Sequence, residues 1–379
     1  MNRTRTLNPI PATFLRGGTS KGVFINRSDL PEDQSQWDPI FLGIMGSPDP
    51  EHGRQLNGMG GGISSLSKIC VVGAPSTEQR QAGIDATYTF AQIGIRDSAV
   101  DYTGNCGNLS SMVGIFAVDE GICTPYVRGQ TGIVRTFNTN TNKQINNTFP
   151  VALEEDHHIP ILDLEQGINA GVPGKASQIV LDFVSPGGAG TGKLLPTGNP
   201  TDVLNLSSDL NLRASLVDAT NPSVFITTEE LQNILDSHSP IDFSNLATLE
   251  LLERVRQKGA VRMGLDPSAQ AQPKIAVLEA SSSTEADIVV HALSMGVLHK
   301  AVPMTVGLCL GVAARIPGTV AWEIVEQSRT GGACSPELLK IRHPSGVVDV
   351  GAELAEDGEV KSAKVVRTGR RLMKGVVWW

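Results

Sequence analysis

The sequence predicts an α/β (α+β) fold built as two similar halves, and three observations carry that expectation. Its 379 residues are enough for two domains with their own cores. The 40 glycines and 22 prolines mark many turns between short strands. One order of elements, a strand, a small-residue turn and a buried helix, occurs around Cys106 and again from Ser294 to Arg315.

In the first half, Ile10 to Ile25 reads as two strands about the turn Arg16-Gly17-Gly18-Thr19-Ser20, which offers free N–H groups and two hydroxyls. A helix is expected from Leu30-Pro31 to Met45, stopped by Gly46 to Pro50. The glycine-rich stretch Gly58 to Gly62 and the serines Ser64, Ser65 and Ser67 lead into Lys68-Ile69-Cys70-Val71-Val72, a β-branched central strand. Further strands, Thr87 to Ile95 and Ala99 to Tyr102, lead to Gly104-Asn105-Cys106-Gly107-Asn108. Leu109, Met112, Val113, Phe116 and Ala117 then form a helical stripe, with Asn105 or Thr103 as cap, so the helix is expected to begin at the thiol.

Two residues in this half stand out chemically. A free cysteine is ordinarily a small buried hydrophobe. The glycines and asparagines around Cys106 leave its sulfur uncovered, and a helix start beside it favours thiolate. A lysine ordinarily sits on the surface. Lys68 instead opens an apolar strand behind a hydroxyl-rich loop, where desolvation lowers its pKa and makes it usable as an acid or base.

Beyond the helix, strands alternate with polar loops. Asp156, His157 and His158 read as solvated loop residues without a third metal ligand. Gly187 to Lys193 nearly spells a phosphate-binding loop but fails at Leu194. It reads as a flexible connection ending in Pro196-Thr197-Gly198-Asn199, a turn with a free hydroxyl and amide. The second half then offers a strand at Ser223 to Thr228, helices from about Thr228 and from Asn245 to Lys258, strands Lys274 to Glu279 and Asp287 to Leu293, and a small-residue helix from Met304 to Arg315.

Composition excludes several classes. The net charge of -8 comes without a basic patch for nucleic acid or an anionic membrane, so an anionic ligand must be held by local donors. Five cysteines, odd in number and with no CxxC pair, argue against a disulfide framework or a zinc site and for a reducing compartment, the cytoplasm. No apolar run approaches the ~20 residues of a membrane span, and the N-terminus lacks a signal-peptide core.

The motifs RGGTSKG, GMGGGISSLSK, GNCGNLSSMVG, PTGN, ALSMGVLHKA, AARIPGT, HPSG and VVRTGRRLMKG, in this order over nearly the whole chain, resemble the PrpF-like isomerases. These include isomerases of aconitate, methylaconitate and methylitaconate and an oxalomesaconate tautomerase. The resemblance implies two pseudo-symmetric diaminopimelate epimerase-like domains, each a mostly antiparallel sheet or open barrel around a central helix. The expected division is 1–186 with a returning strand 370–379, against 187–369, and the site is expected in the cleft between the two.

It also implies a cofactor-independent proton transfer by Lys68 and Cys106, without metal, on a small unsaturated polycarboxylate. Binding groups are carried onto Thr19, Ser20, Ser65, Ser67, Asn105, Gly107, Asn108, Thr197, Asn199, Ser294, Met295, His299 and Ser345. His343 has a core or supporting reading, and Arg16 either pairs with substrate or holds its turn. A homodimer stays open. Two alternatives are weighed: a non-catalytic carboxylate-binding accessory protein of an aconitase-type enzyme, and a two-thiol amino-acid epimerase. The epimerase is disfavoured because Cys309 lies about a turn inside its helix and only Cys334 is left as a second candidate.

Overall fold

The computed structural model describes residues 8–207, 210–235, 239–329 and 338–379, so Cys334 lies outside the described residues. The chain forms two compact units, Met1–Leu181 with Arg367–Trp379, and Asp182–Val366. Both boundaries lie slightly N-terminal to the expected ones.

In the first unit, strands Ile10–Gly17 and Ser20–Asn26 form a hairpin in which Gly17 opposes Ser20. Gly18, at φ 50°, supplies the left-handed residue that so tight a turn requires. The second hairpin strand runs parallel to Lys68–Gly73, with Val23 opposite Ile69. That strand is antiparallel to Ala86–Ile93, which places Lys68 opposite Gln92. Strands Thr131–Asn138 and Lys143–Glu154 extend the sheet on one side. On the other, the C-terminal strand Gly369–Val377 lies antiparallel to Ile10–Gly17.

This sheet packs around helix Ser110–Asp119, whose residues from Ser110 to Ala117 are all buried. A helix apolar on every side is a core helix, and its strand neighbours supply the enclosure. The opposite sheet face is covered by helix Trp37–Met45, whose Trp37, Phe41 and Ile44 join Ile25, Ile69 and Ile93 in one cluster. Covered on both faces, Lys68–Gly73 is buried at every position.

Tight packing around the central helix rests partly on Gly114. A Cβ there would lie 2.9 Å from that of Asn147 and 3.1 Å from that of Val134. Gly114→Val should therefore destabilise the protein by about 1–3 kcal/mol, read as a lower urea midpoint. An unchanged midpoint would refute the close approach.

Two local expectations need correction. The helix expected from Leu30 begins at Trp37, because Gln34–Gln36 forms a separate 3₁₀ turn capped by the Asp33 side chain. His157 and His158 are not in a loop. They open strand His157–Pro160, opposite Glu154 and Leu153.

The second unit repeats the order. Strands Asn211–Ala219 and Asn221–Thr227 form a hairpin turning at Thr220, φ 66°. The second of them runs parallel to Lys274–Ala280, which is antiparallel to Ile288–Ser294. Helix Met304–Ala313 is buried at every position and packs against both hairpin strands and against Gly346–Leu354. On the other face, Leu252 and Val255 of helix Leu246–Arg262 pack with Leu216, Val224 and Ile275. Both units are thus a sheet layered between a buried and an outer helix, the mixed α/β architecture that the resemblance implied.

The run Gly187 to Lys193 is a bonded loop rather than a loose connection. Gly190 N, Thr191 N and Thr191 Oγ1 donate to Asp218 Oδ2 at 2.9, 2.6 and 2.7 Å, so its donors are spent on a buried carboxylate of this chain. No helix among the described residues is long and apolar enough to cross a membrane.

Candidate active site

Within the first unit, three turns meet at the start of the central helix. Gly17 and Gly18 lie so close to Asn108 that a Cβ on either would collide with its carbonyl or its side-chain oxygen. A Cβ on Gly22 would stand 2.9 Å from the Lys68 carbonyl and 2.7 Å from Leu109. These close approaches are the reason RGGTSKG needs its glycines. They bring the hairpin turn, the lysine strand and the cysteine turn together. Asn108 Nδ2 donates to Thr19 Oγ1 at 3.1 Å, and Cys106 Sγ to Ser20 Oγ at 3.8 Å.

The helix does not begin at the thiol. Its first residue is Ser110, and Cys106 lies one turn ahead, tied in by Ser110 N donating to the Cys106 carbonyl at 2.9 Å. Neither expected cap serves. Thr103 is occupied with Asp101, and Asn105 Oδ1 accepts from the adjacent Cys106 N at 2.7 Å. The helix-dipole argument for a thiolate therefore weakens, because that effect fades beyond the first turn. Asn105 acts instead as a brace. Its oxygen also accepts from Tyr88 OH at 3.1 Å, and Tyr88 OH shares a 2.8 Å bond with Ser110 Oγ, which fixes the turn that carries the thiol.

Lys68 is only 8% exposed. Its Nζ donates to Gln92 Oε1, and it lies over the Phe90 ring, 5.1 Å from the centroid. Gln92 Nε2 in turn donates to the Ser67 and Ser64 carbonyls at 2.9 and 3.2 Å. Burial pushes the Lys68 ammonium below its ordinary 10.5 and outweighs the opposing pull of negative charge on Cys106 and Cys70. The two sulfurs differ in surroundings: Cys106 is partly exposed, whereas Cys70 is fully buried and its thiol is held well above the ordinary value.

Among the serines before Lys68, Ser67 has its hydroxyl spent within the chain. Ser67 is fully buried and donates to Gln55 Oε1 at 2.6 Å and to the Ile63 carbonyl at 2.9 Å, while Ser65 is buried in a 3₁₀ turn. Gly107 is buried in the cysteine turn. Arg16 holds its own turn: Nη1 donates to the carbonyls of Gly18 and Thr368 at 2.9 and 3.0 Å.

In the second unit, Thr197 and Asn199 are not free. They donate to Asp202 at 2.6 and 3.2 Å. Ser294 is buried and accepts from Lys274 Nζ at 3.1 Å. Met295 follows it in a left-handed conformation. His299 Nδ1 accepts from Ala301 N, and Ser345 Oγ donates to the Lys300 carbonyl at 2.6 Å. The buried His343 accepts from Ser345 N at 3.2 Å, which makes it a support of that turn. Cys309 is fully buried with its thiol pushed up to about 12, so it offers no second reactive sulfur.

Sequence reasoning missed Gln55, Gln92 and Lys274. Gln55 is fully buried at φ 55° and links Ser47, Gly62 and Ser67. The available signal for Lys274 was a polar residue opening an apolar run, and for Gln92 a polar residue between the apolar Ala91 and Ile93 at the end of its strand.

The family profile of PrpF protein matches residues 7–379. The chain is 36% identical to 3-methylitaconate isomerase of Eubacterium barkeri, covering 97% of both chains. It is likewise 36% identical to 2-methyl-aconitate isomerase of Cupriavidus necator, covering 97% of this chain and 96% of that one. A crystal structure of methylitaconate-delta-isomerase superposes with a TM-score of 0.73 at 35% identity, over 99% of this chain and 96% of that one. Whole-length agreement with a profile and with isomerases, on a fold that gathers RGGTS, Lys68 and GNCGN in one unit, shows that this chain belongs to the PrpF family and is an isomerase.

Proposed function

We propose that the chain moves or flips a C=C bond in a small unsaturated di- or tricarboxylate of the methylitaconate or methylaconitate type, with Lys68 and Cys106 as the proton-transfer pair. The observation that carries this reading is the close packing of the hairpin turn against both the strand opened by the buried Lys68 and the turn that carries the partly exposed Cys106. Burial favours the neutral amine, a base able to remove a C–H proton acidified through a conjugated carboxylate. The electron pair passes into a dienolate. The neutral thiol returns a proton at the far allylic carbon, or at the same carbon after rotation. Lysine is then ammonium and cysteine thiolate, and a proton passing between them resets the pair.

Ser20 Oγ, beside the sulfur, is placed to steady the thiolate formed in that step, and Thr19 and Asn108 line the same turn. Donors of this kind typically contribute about 2–4 kcal/mol to stabilising the developing charge. In the same reading the protein works in the reducing cytoplasm, where a reactive thiol persists.

The test is incubation of the pure protein in deuterated water with methylitaconate, 2-methylaconitate and aconitate in turn, followed by proton NMR. The expected result is double-bond movement in at least one acid with solvent deuterium entering at an allylic carbon. Isomerisation with no deuterium uptake in either substrate or product would argue against exchangeable acid–base groups. No reaction with any of the three would remove this substrate class.

A further inference from the structure

Strand Ala86–Ile93 of the first unit does different work with its two faces. Ala91 and Ile93 join the cluster beneath the outer helix Trp37–Met45. Tyr88, Phe90 and Gln92 alternate with them and share the opposite face, where the register sets them against Val72, Cys70 and Lys68. All three are buried. Tyr88 OH reaches the turn that carries Cys106 through Asn105 Oδ1 and Ser110 Oγ. The Phe90 ring lies beneath Lys68 Nζ, and Gln92 Oε1 accepts from it. One strand face thus holds the lysine and braces the cysteine turn.

Gln92 is held so that its oxygen, and not its nitrogen, meets the lysine. Its Nε2 donates to the carbonyls of Ser67 and Ser64, two acceptors that an amide oxygen could not satisfy, so Oε1 must face Lys68 Nζ. Ser67 is anchored in turn by donating to Gln55 Oε1, and Gln55 Nε2 donates to Ser47 Oγ. The amide therefore cannot turn over without breaking a buried polar chain. An amide oxygen takes a hydrogen bond from an ammonium and from a neutral amine alike, so its contact with Lys68 survives loss of the proton. A carboxylate at the same place would fix the ammonium by its charge. The titratable groups around Lys68 are Cys106 and Cys70, with Tyr88 further along the face that carries Gln92. The second hairpin strand brings Gly22 against it, and the buried stretch of the central helix from Ser110 to Ala117 brings no titratable side chain. Among the described residues no carboxylate forms an ion pair with Lys68.

We infer that Gln92 is the positioning residue of the proton transfer: it aims the Lys68 amine through a neutral acceptor that lets the nitrogen give up and take back its proton. This rests on the proposed function and deepens it, because it gives a reason for a glutamine rather than a glutamate opposite the lysine. Gln92 acts through Lys68 and takes no proton itself.

The test replaces Gln92 in the whole protein and follows the amine directly, by NMR of lysine carrying an isotopic label at Nζ, with the Lys68 signal identified by its loss in Lys68→Met. Gln92→Glu is expected to raise the pH at which the amine titrates by about 1–3, as an opposite charge in contact does, and to carry the rising limb of kcat/KM upward with it. Gln92→Met removes the acceptor and adds no charge. It is expected to move both downward and to lower kcat by about 10- to 100-fold with KM little changed, and it serves should the glutamate variant fail to fold. A merely structural glutamine would cost stability in both variants and shift neither titration. An amine that titrates at the wild-type pH in both variants therefore overturns the inference, as does wild-type kcat in Gln92→Met. The titration is read without turnover. Failure of the isomerase reading thus shows separately, as absence of deuterium uptake by the wild type.

Discussion

Lys68→Met lowers kcat/KM for the isomerised acid by about 10²- to 10⁴-fold, the range for loss of a positioned general base, and leaves the fold intact. Methionine fills the space of the aliphatic stem beside Phe90 and brings no charge to be desolvated, so stability is kept or raised. Because burial holds the Lys68 ammonium below 10.5, the wild-type kcat/KM rises with pH through a limb set by that lowered value, and the variant lacks this limb. The sign for folding follows from the same shift. Between the folded and unfolded values the unfolded chain holds one proton more, so wild-type stability rises with pH across that window. The penalty for charging the buried amine is complete below the folded value and gone above 10.5. The stability advantage of the methionine variant should therefore shrink as pH climbs, and one that is constant from pH 6 to 11 would show that the amine is not desolvated.

Cys106→Ala produces a loss of the same order, about 10²- to 10⁴-fold, but with a different isotopic signature. If the amine removes the proton and the thiol returns it, the alanine variant still ionises substrate. Deuterium then appears in recovered substrate at the carbon that Lys68 attacks, without product. Lys68→Met shows no such wash-in. The opposite pattern, with exchange surviving only when the lysine is lost, would reverse the two roles. Unchanged turnover in both Cys106→Ala and Cys106→Ser would remove the thiol from the reaction altogether. Cys70→Ala is the control: its sulfur is enclosed and protonated, so the substitution affects packing rather than chemistry.

The parts legible in the sequence were those that depend on local pattern. The β-branched run after Lys68, the apolar helix after Cys106 and the small-residue helix at Met304 each follow from residues within one element. The parts that were not legible depend on a partner fixed by sheet register. Gln92 holds Lys68 because the two strands align those residues, and Asp218 captures Gly190 and Thr191 from a hairpin some 27 residues away. Thr197 and Asn199 look like free donors until Asp202 folds back on them. The start of the central helix was misplaced for a related reason. Ser110 N donates to the Cys106 carbonyl with the spacing of a helical bond, so the turn reads as a helical start although the regular helix opens only at Ser110.

The strand Gly369–Val377 completes the sheet of the first unit beside Ile10–Gly17, and Gly18 N donates to the Thr368 carbonyl in the turn that faces Asn108. During translation the ribosome must therefore finish all of Asp182–Val366 before the outermost ladder of the first unit has its second strand. The later-made unit closes its own ladder with residues up to Val365, so both units gain their last strands near the end of synthesis, and the earlier one has waited throughout with an open edge. Such long-range closure belongs to the slow class of folding events and exposes the nascent chain to chaperones in the interval.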